Sequence, residues 1–121
     1  MEQDKLWSGA KMPEKLNFTL IRGDKQGSAY DWLNIDRGAV RIGKVRGLIK
    51  GKTLIICSIN IFPEFEGNGC GRKTIEMFKK CFDTIIADRV RYTAAEFWKK
   101  MGFVHGEDGN YVYRNRRLET K

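Results

Sequence analysis

The chain is predicted to fold as one α/β domain, and three observations predict it. Short runs dense in Ile, Val, Leu and aromatic residues recur through the first half, which is strand patterning. A strand, a glycine-rich turn and an amphipathic helix then follow one another between Thr53 and Phe82. A second helical period runs from Thr93 to Met101 before strand patterning returns. At 121 residues the chain is long enough for one hydrophobic core and too short for two.

Taken in order, residues 1–16 form a polar N-terminal arm with isolated Leu6 and Trp7, and residues 17–121 form the domain. Asn17 to Arg22 reads as a strand that ends at the Gly23-Asp24 turn. Ala29 to Ile35 is a second strand, and Asp36-Arg37-Gly38 turns the chain. Ala39 to Ile49 is a long strand with Val40, Ile42, Lys44, Arg46 and Leu48 on one face and Gly43 and Gly47 on the other. Lys50-Gly51-Lys52 makes a tight hairpin into Thr53 to Phe62, whose adjacent apolar residues imply that both faces are covered. Pro63 stops the ladder because it has no N–H. Beyond the glycines, Ile75, Phe78, Cys81 and Phe82 share one helical face, and Arg72, Lys73, Glu76, Lys79 and Lys80 the other. Thr84 to Ala87 is a short strand. Thr93 and Glu96 have the spacing of a capping box, opening a helix that buries Ala94, Phe97, Trp98 and Met101. Gly102 suits its C-terminal end. Phe103 to His105 and Tyr111 to Arg114 are the last strands, and the tail after them is expected to fray.

Composition narrows the function. Apolar residues make up 41% and aromatics 12%, which argues against disorder. No apolar run is long enough to cross a membrane, and the N-terminus is too charged for a signal peptide. Cys57, Cys70 and Cys81 lack paired metal spacing, and His105 is the one histidine, so no metal site is expected. Reduced thiols in a cytoplasm are the simpler account. The net charge is +8, concentrated in Arg37, Arg41, Lys44, Arg46, Lys50 and Lys52, with no acid between them. Such a ribbon is either a solvated face or an attractor of polyanions, among them nucleic acid and coenzyme A.

Gly67, Gly69 and Gly71 feed directly into a helix. The first turn of a helix carries unpaired N–H groups and a partial positive charge, so this turn is either a phosphate nest or plain strand-to-helix geometry. A P-loop would need Gly-Lys-Ser/Thr, but Arg72 intervenes before Lys73-Thr74. A dinucleotide fingerprint would need GxGxxG, and the spacing here is GxGxG.

PEFEGNGCGR resembles motif A of the GNAT acetyltransferase superfamily, in which Gln/Arg-x-x-Gly-x-Gly/Ala follows a strand. Glu66, Gly69 and Gly71 hold the three defined positions, with Glu66 in place of the usual Gln or Arg. AAEFWKKMGF is similar to the helix-and-strand signature that follows motif A in that superfamily, matching at Ala94, Phe97, Gly102 and Phe103. The resemblance implies a mixed, mostly antiparallel sheet with flanking helices, whose fourth and fifth strands splay to admit acetyl-coenzyme A. It implies a cofactor site at Ile59, Ile61, Glu66, Gly67, Asn68, Gly69, Cys70, Gly71, Arg72 and Trp98. It also implies transfer of an acyl group from acyl-coenzyme A to an amine, with a strand N–H near Ile59 to Ile61 holding the oxyanion.

Two departures qualify the resemblance. The stretch from Gly23 to Ser28 leaves no room for the usual first helix pair, so the acceptor side is expected to be open or completed by the arm or a second subunit. An open side suits a macromolecular acceptor. Trp98 stands where a tyrosine often protonates the departing thiolate, and indole cannot be that acid. Glu64, Glu66 and His105 are the candidate bases, Glu66 more as a residue that orients the turn, and Tyr92, Tyr111 and Tyr113 are substitute acids, each with a plain reading as a surface or packing residue. Cys70 has a parallel pair of readings, an acidified thiol at a helix start or a packing residue. The alternative to an enzyme is a non-catalytic module that binds nucleic acid or another polyanion.

Overall fold

The computed structural model describes residues 15–25 and 27–115, so most of the expected arm and tail lie outside the described residues. The strands are β1 (Leu16–Ile21), β2 (Asp31–Arg37), β3 (Val40–Lys50), β4 (Thr53–Ile61), β5 (Thr84–Ala87), β6 (Val104–His105) and β7 (Tyr111–Arg114). Helix α1 (Cys70–Cys81) lies between β4 and β5, and α2 (Ala95–Lys100) between β5 and β6. The strands form one sheet in the order β1-β2-β3-β4-β5-β7-β6. Among the described residues only β4 and β5 pair in parallel, and every other neighbour is antiparallel. The fold class is therefore a mixed, mostly antiparallel sheet with flanking helices.

The pleat sorts the strands into two faces. Leu33, Ile35, Val45, Leu54, Ile56, Ile85 and Ala87 point to one face and are buried there. Helix α1 covers this face. Its Phe78 ring packs edge-on against Phe18 of β1 at 5.4 Å, and Phe82 lies 6.4 Å from the same ring. Helix α2 sits beside it, with Trp98 edge-on to Phe103, which in turn packs on Tyr113 of β7. Lys79 of α1 ties the two helices by donating to the Met101 carbonyl at 2.5 Å, its ammonium lying over the Tyr113 ring. No strand residue pointing to the far face is buried among the described residues.

Several sequence expectations change at this level. β4 is covered on one face, not both: Leu54 and Ile56 are buried while Ser58 and Asn60 are exposed. β3 does not keep Ile42 in line with Lys44, because Ile35 pairs with Gly43 and Asp36 with Arg41. Ile42 is the extra residue of that bulge and is carried into the core. The Thr93–Glu96 capping box does not form. Thr93 lies in a 3₁₀ turn (Tyr92–Ala94), and Ala94 is the N-cap of α2 without a side-chain bond. On α1, Cys81 is exposed, and Thr74 and Cys70 are buried instead. Strand ends shift by one or two residues, most at β2, which begins at Asp31 rather than Ala29.

The link from β1 to β2 contains one 3₁₀ turn, Gly23–Lys25, and no helix pair among the described residues. It is closed by Asp31, whose two carboxylate oxygens accept the Gly23 N–H at 2.8 Å and the Ile49 N–H at 3.0 Å. The Ser28 N–H closes it further on the Gly23 carbonyl at 2.8 Å.

Candidate active site

β4 and β5 run paired from Thr53↔Thr84 to Ile56↔Ala87. The Asp88 N–H then makes a last bond to the Ile56 carbonyl at 2.9 Å. Beyond it β4 continues to Ile61 with no β5 partner. The parting coincides with a bulge. Gly47 of β3 pairs with Ile56 and Arg46 with Ser58, so Cys57 is the extra residue. Gly47 permits the close approach at this point, since a Cβ there would collide with the Ile55 carbonyl oxygen.

The parted strands enclose a cleft of about 330 Å³. Ile56 to Ile59 form one wall, Ala87 to Arg91 the other, and Thr93, Ala94 and Trp98 close it from the helix side. Backbone direction alternates along a strand. The Phe62 N–H donates back toward β3, to the Ile42 carbonyl at 2.8 Å. Ile61 and Ile59, one and three residues earlier, therefore turn their N–H groups toward the unpaired side of β4, where β5 has left.

The glycine turn stands just past the end of β4. Gly67 (φ 84°) and Gly69 (φ 77°) are both left-handed, and Gly69 is the N-cap of α1. Among the described residues no side chain caps α1, and a Cβ on either glycine would meet nothing within 4 Å. Glu66 to Gly69 are exposed, and the first-turn amides of α1 that follow them have no partner within the helix. Gly71 instead faces α2: a Cβ added there would lie 3.8 Å from the Phe97 ring, an ordinary contact.

The cleft is charged at its rim and apolar at its base. Among the described residues Asp88 is the one carboxylate that lines it, with an oxygen 3.1 Å from the Arg89 Nε. Burial, and then the Asp88 charge, raise the Cys57 thiol above its ordinary value near 9, against the pull of Arg46 and Arg89. Cys57 is thus a protonated thiol at neutral pH.

Of the residues singled out in the sequence, Ile59 and Trp98 line the cleft, and Ile61 continues its β4 wall. Glu66, Gly67, Asn68, Gly69 and Arg72 are exposed in and after the turn. Cys70 is buried at the start of α1, its carbonyl accepting the Thr74 hydroxyl at 2.8 Å, which is a packing position. Glu64 is exposed in the 3₁₀ turn Pro63–Phe65. His105 is exposed on β6, its ring 5.1 Å from that of Tyr111. Tyr92 is 89% exposed, between the cleft residues Arg91 and Thr93. None of these three lines the cleft itself. Cys57, Ser58, Asp88 and Arg89 do, and sequence reasoning missed them as site residues. The signal that could have found them is the short TIIA strand followed by Asp88: a partner so brief must leave the longer β4 early.

No family model matches the sequence, and no curated protein does. Solved structures match the fold. An acetyltransferase from Thermus thermophilus is 18% identical, with a TM-score of 0.57 over 70% of this chain and 64% of that one. The chain thus spans just under two thirds of that protein's length. A variant of the toxin AtaT, bound to acetyl-CoA and the C-terminus of the antitoxin AtaR, is 10% identical, with a TM-score of 0.59 over 88% of this chain and 97% of that one. A chain of the AtaT–AtaR complex bound to DNA is 14% identical, with a TM-score of 0.61 over 82% and 76%. No helix among the described residues is long and apolar enough to cross a membrane.

Proposed function

We propose that this chain, which has the fold of the GNAT acetyltransferases, transfers an acyl group from acyl-coenzyme A to an amine. The observation that carries the reading is the join of two features. An uncapped, open glycine turn stands at one end of β4, and the cleft where β4 leaves β5 stands at its middle. The turn offers amides to a pyrophosphate, with Arg72 at its rim. The cofactor's arm would run along the unpaired side of β4 in place of the missing strand. Its thioester would then lie near Ile59, whose N–H is aimed to hold the oxyanion. Retention of both features weighs against a module that binds only a polyanion.

In this reading a neutral amine attacks the thioester carbon and the coenzyme thiolate leaves. Asp88, the carboxylate in the cleft, is the base that takes the amine proton, directly or through water. Tyr92 is the candidate acid, since its neighbours on both sides line the cleft. Glu64 and His105, which stand outside the cleft, would act only through a water chain. Trp98 is a wall of the site, edge-on to Phe97 and Phe103, rather than an acid.

Cys57 reports on the cleft directly. Alkylation with N-ethylmaleimide, followed by peptide mapping, should show Cys57 protected by acetyl-CoA and exposed Cys81 unaffected. Equal labelling of Cys57 with and without acetyl-CoA would refute the placement.

A further inference from the structure

The far face of the sheet is chemically uneven. Two register rows cross its middle, Trp32–Arg46–Ser58 and Asn34–Lys44–Asn60. The Lys44 ammonium lies 5.3 Å from the centre of the Trp32 ring, and the Arg46 guanidinium 4.7 Å from that of Tyr30. Neither cation has a carboxylate partner among the described residues. Among the described residues the Arg46 Nε is buried without a hydrogen-bond acceptor. The one acid in the adjoining row, Asp36, is held by Arg41 at 2.5 Å. Among the described residues these rows therefore present cations, flat rings and side-chain amides, and the acid beside them is paired.

We propose that this face is a docking surface for single-stranded nucleic acid. Phosphates would pair with Lys44 and Arg46. Bases would stack on Trp32 and on the Arg46 plane that Tyr30 already supports. Asn34 and Asn60 would meet base edges. A duplex hides its bases, and a sheet face offers no helix or ribbon to enter a groove. An acidic protein would satisfy the cations and leave the rings and amides idle. The surface also leads to the cleft. Ser58 belongs both to the row with Arg46 and to the cleft wall, and the Arg46 charge is felt at Cys57. A docked strand would thus reach the cleft from the side away from the helices. If the acyl-transfer reading above holds, the acceptor amine is one carried by nucleic acid; the docking itself does not depend on that reading.

The test is fluorescence anisotropy of a labelled, short, mixed-sequence single-stranded RNA, without coenzyme, at about 50 mM and about 200 mM salt. Binding should weaken steeply with salt and exceed that of the matching duplex. Lys44→Glu, Arg46→Gln and Trp32→Ala should each weaken it about tenfold. Lys99→Glu with Lys100→Glu, on α2 at the helix side, should change it by less than about twofold, apart from the weak general field. No anisotropy change at the lower salt would overturn the proposal. So would a control as damaged as Lys44→Glu, or competition by polyglutamate equal to that by unlabelled RNA. Circular dichroism establishes that each variant is folded. Acetyl-CoA affinity of Lys44→Glu, expected unchanged, separates failure of this surface from failure of the cofactor site.

Discussion

Asp31 shows how much one side chain can organise. It begins β2, yet its oxygens accept amides from the β1–β2 link and from β3, with the Arg22 Nε 3.6 Å away. Burial alone would raise its carboxyl, but the Gly23 and Ile49 amides and Arg22 outweigh burial and hold it below its ordinary value of 3.8. A carboxyl depressed on folding adds stability above its unfolded value and loses it as pH falls through the folded one. Folding stability should therefore be steady above about pH 5 and decline below about pH 4. Asp31→Asn, which sets an amide donor against a backbone N–H, should lose about 2 kcal/mol in urea melts at neutral pH and flatten that decline. A variant as stable as wild type would mean the two amides are satisfied otherwise. Asp31 was legible in the sequence only as part of a strand, because its partners lie 8 and 18 residues away.

At the scale of elements, strand and helix identity was readable because it is local. The apolar period of α1 and the glycines before it mark a strand-turn-helix without any partner in view. What the sequence hid is where strands stop agreeing in register. The two bulges at Ile42 and Cys57 and the early end of β5 depend on pairings between distant segments. The Cys57 bulge and the early end of β5 make the cleft, so the glycine turn was legible and most of the cleft wall was not. The Thr93–Glu96 pattern misled because Thr93 falls inside a 3₁₀ turn, which leaves Ala94 as the N-cap of α2. Two substitutions test these joints. Gly47→Ala places a methyl against the backbone oxygen of Ile55, which cannot swing aside, and should cost more than about 2 kcal/mol in thermal or urea melts. Lys79→Met removes the bond to the Met101 carbonyl and the contact over Tyr113 while keeping the apolar stem. It should cost about 1 kcal/mol and loosen α2 first, seen as faster amide exchange from Phe97 to Phe103. Unchanged exchange there would show that packing alone holds α2.

For the whole molecule, the described residues form a one-sided protein, with both helices and the core on one face of the sheet. The sequence foretold the shortened β1–β2 link from the few residues after Gly23, and among the described residues the far face carries no helix. A mean strand pattern could not reveal that face, because half-covered Ile55 and Ile86 look in sequence like core residues. A ligand that seats in the cleft and on the turn joins β4, α1, α2 and the β5 end, so it should stabilise the fold as a unit. At a hundredfold excess over its dissociation constant, acetyl-CoA should add about 2.7 kcal/mol and raise Tm by about 10 °C. A nucleotide without the thioester arm, such as ADP, should give a smaller rise.

The most direct measurement is calorimetric titration of acetyl-CoA into the wild type and into Gly69→Glu. The substitution puts a carboxylate where the turn offers open amides, at a left-handed φ of 77°. Micromolar binding by the wild type, abolished in a variant that circular dichroism shows to be folded, is the predicted result. No binding by the wild type, or equal binding by the variant, would contradict a cofactor site at this turn.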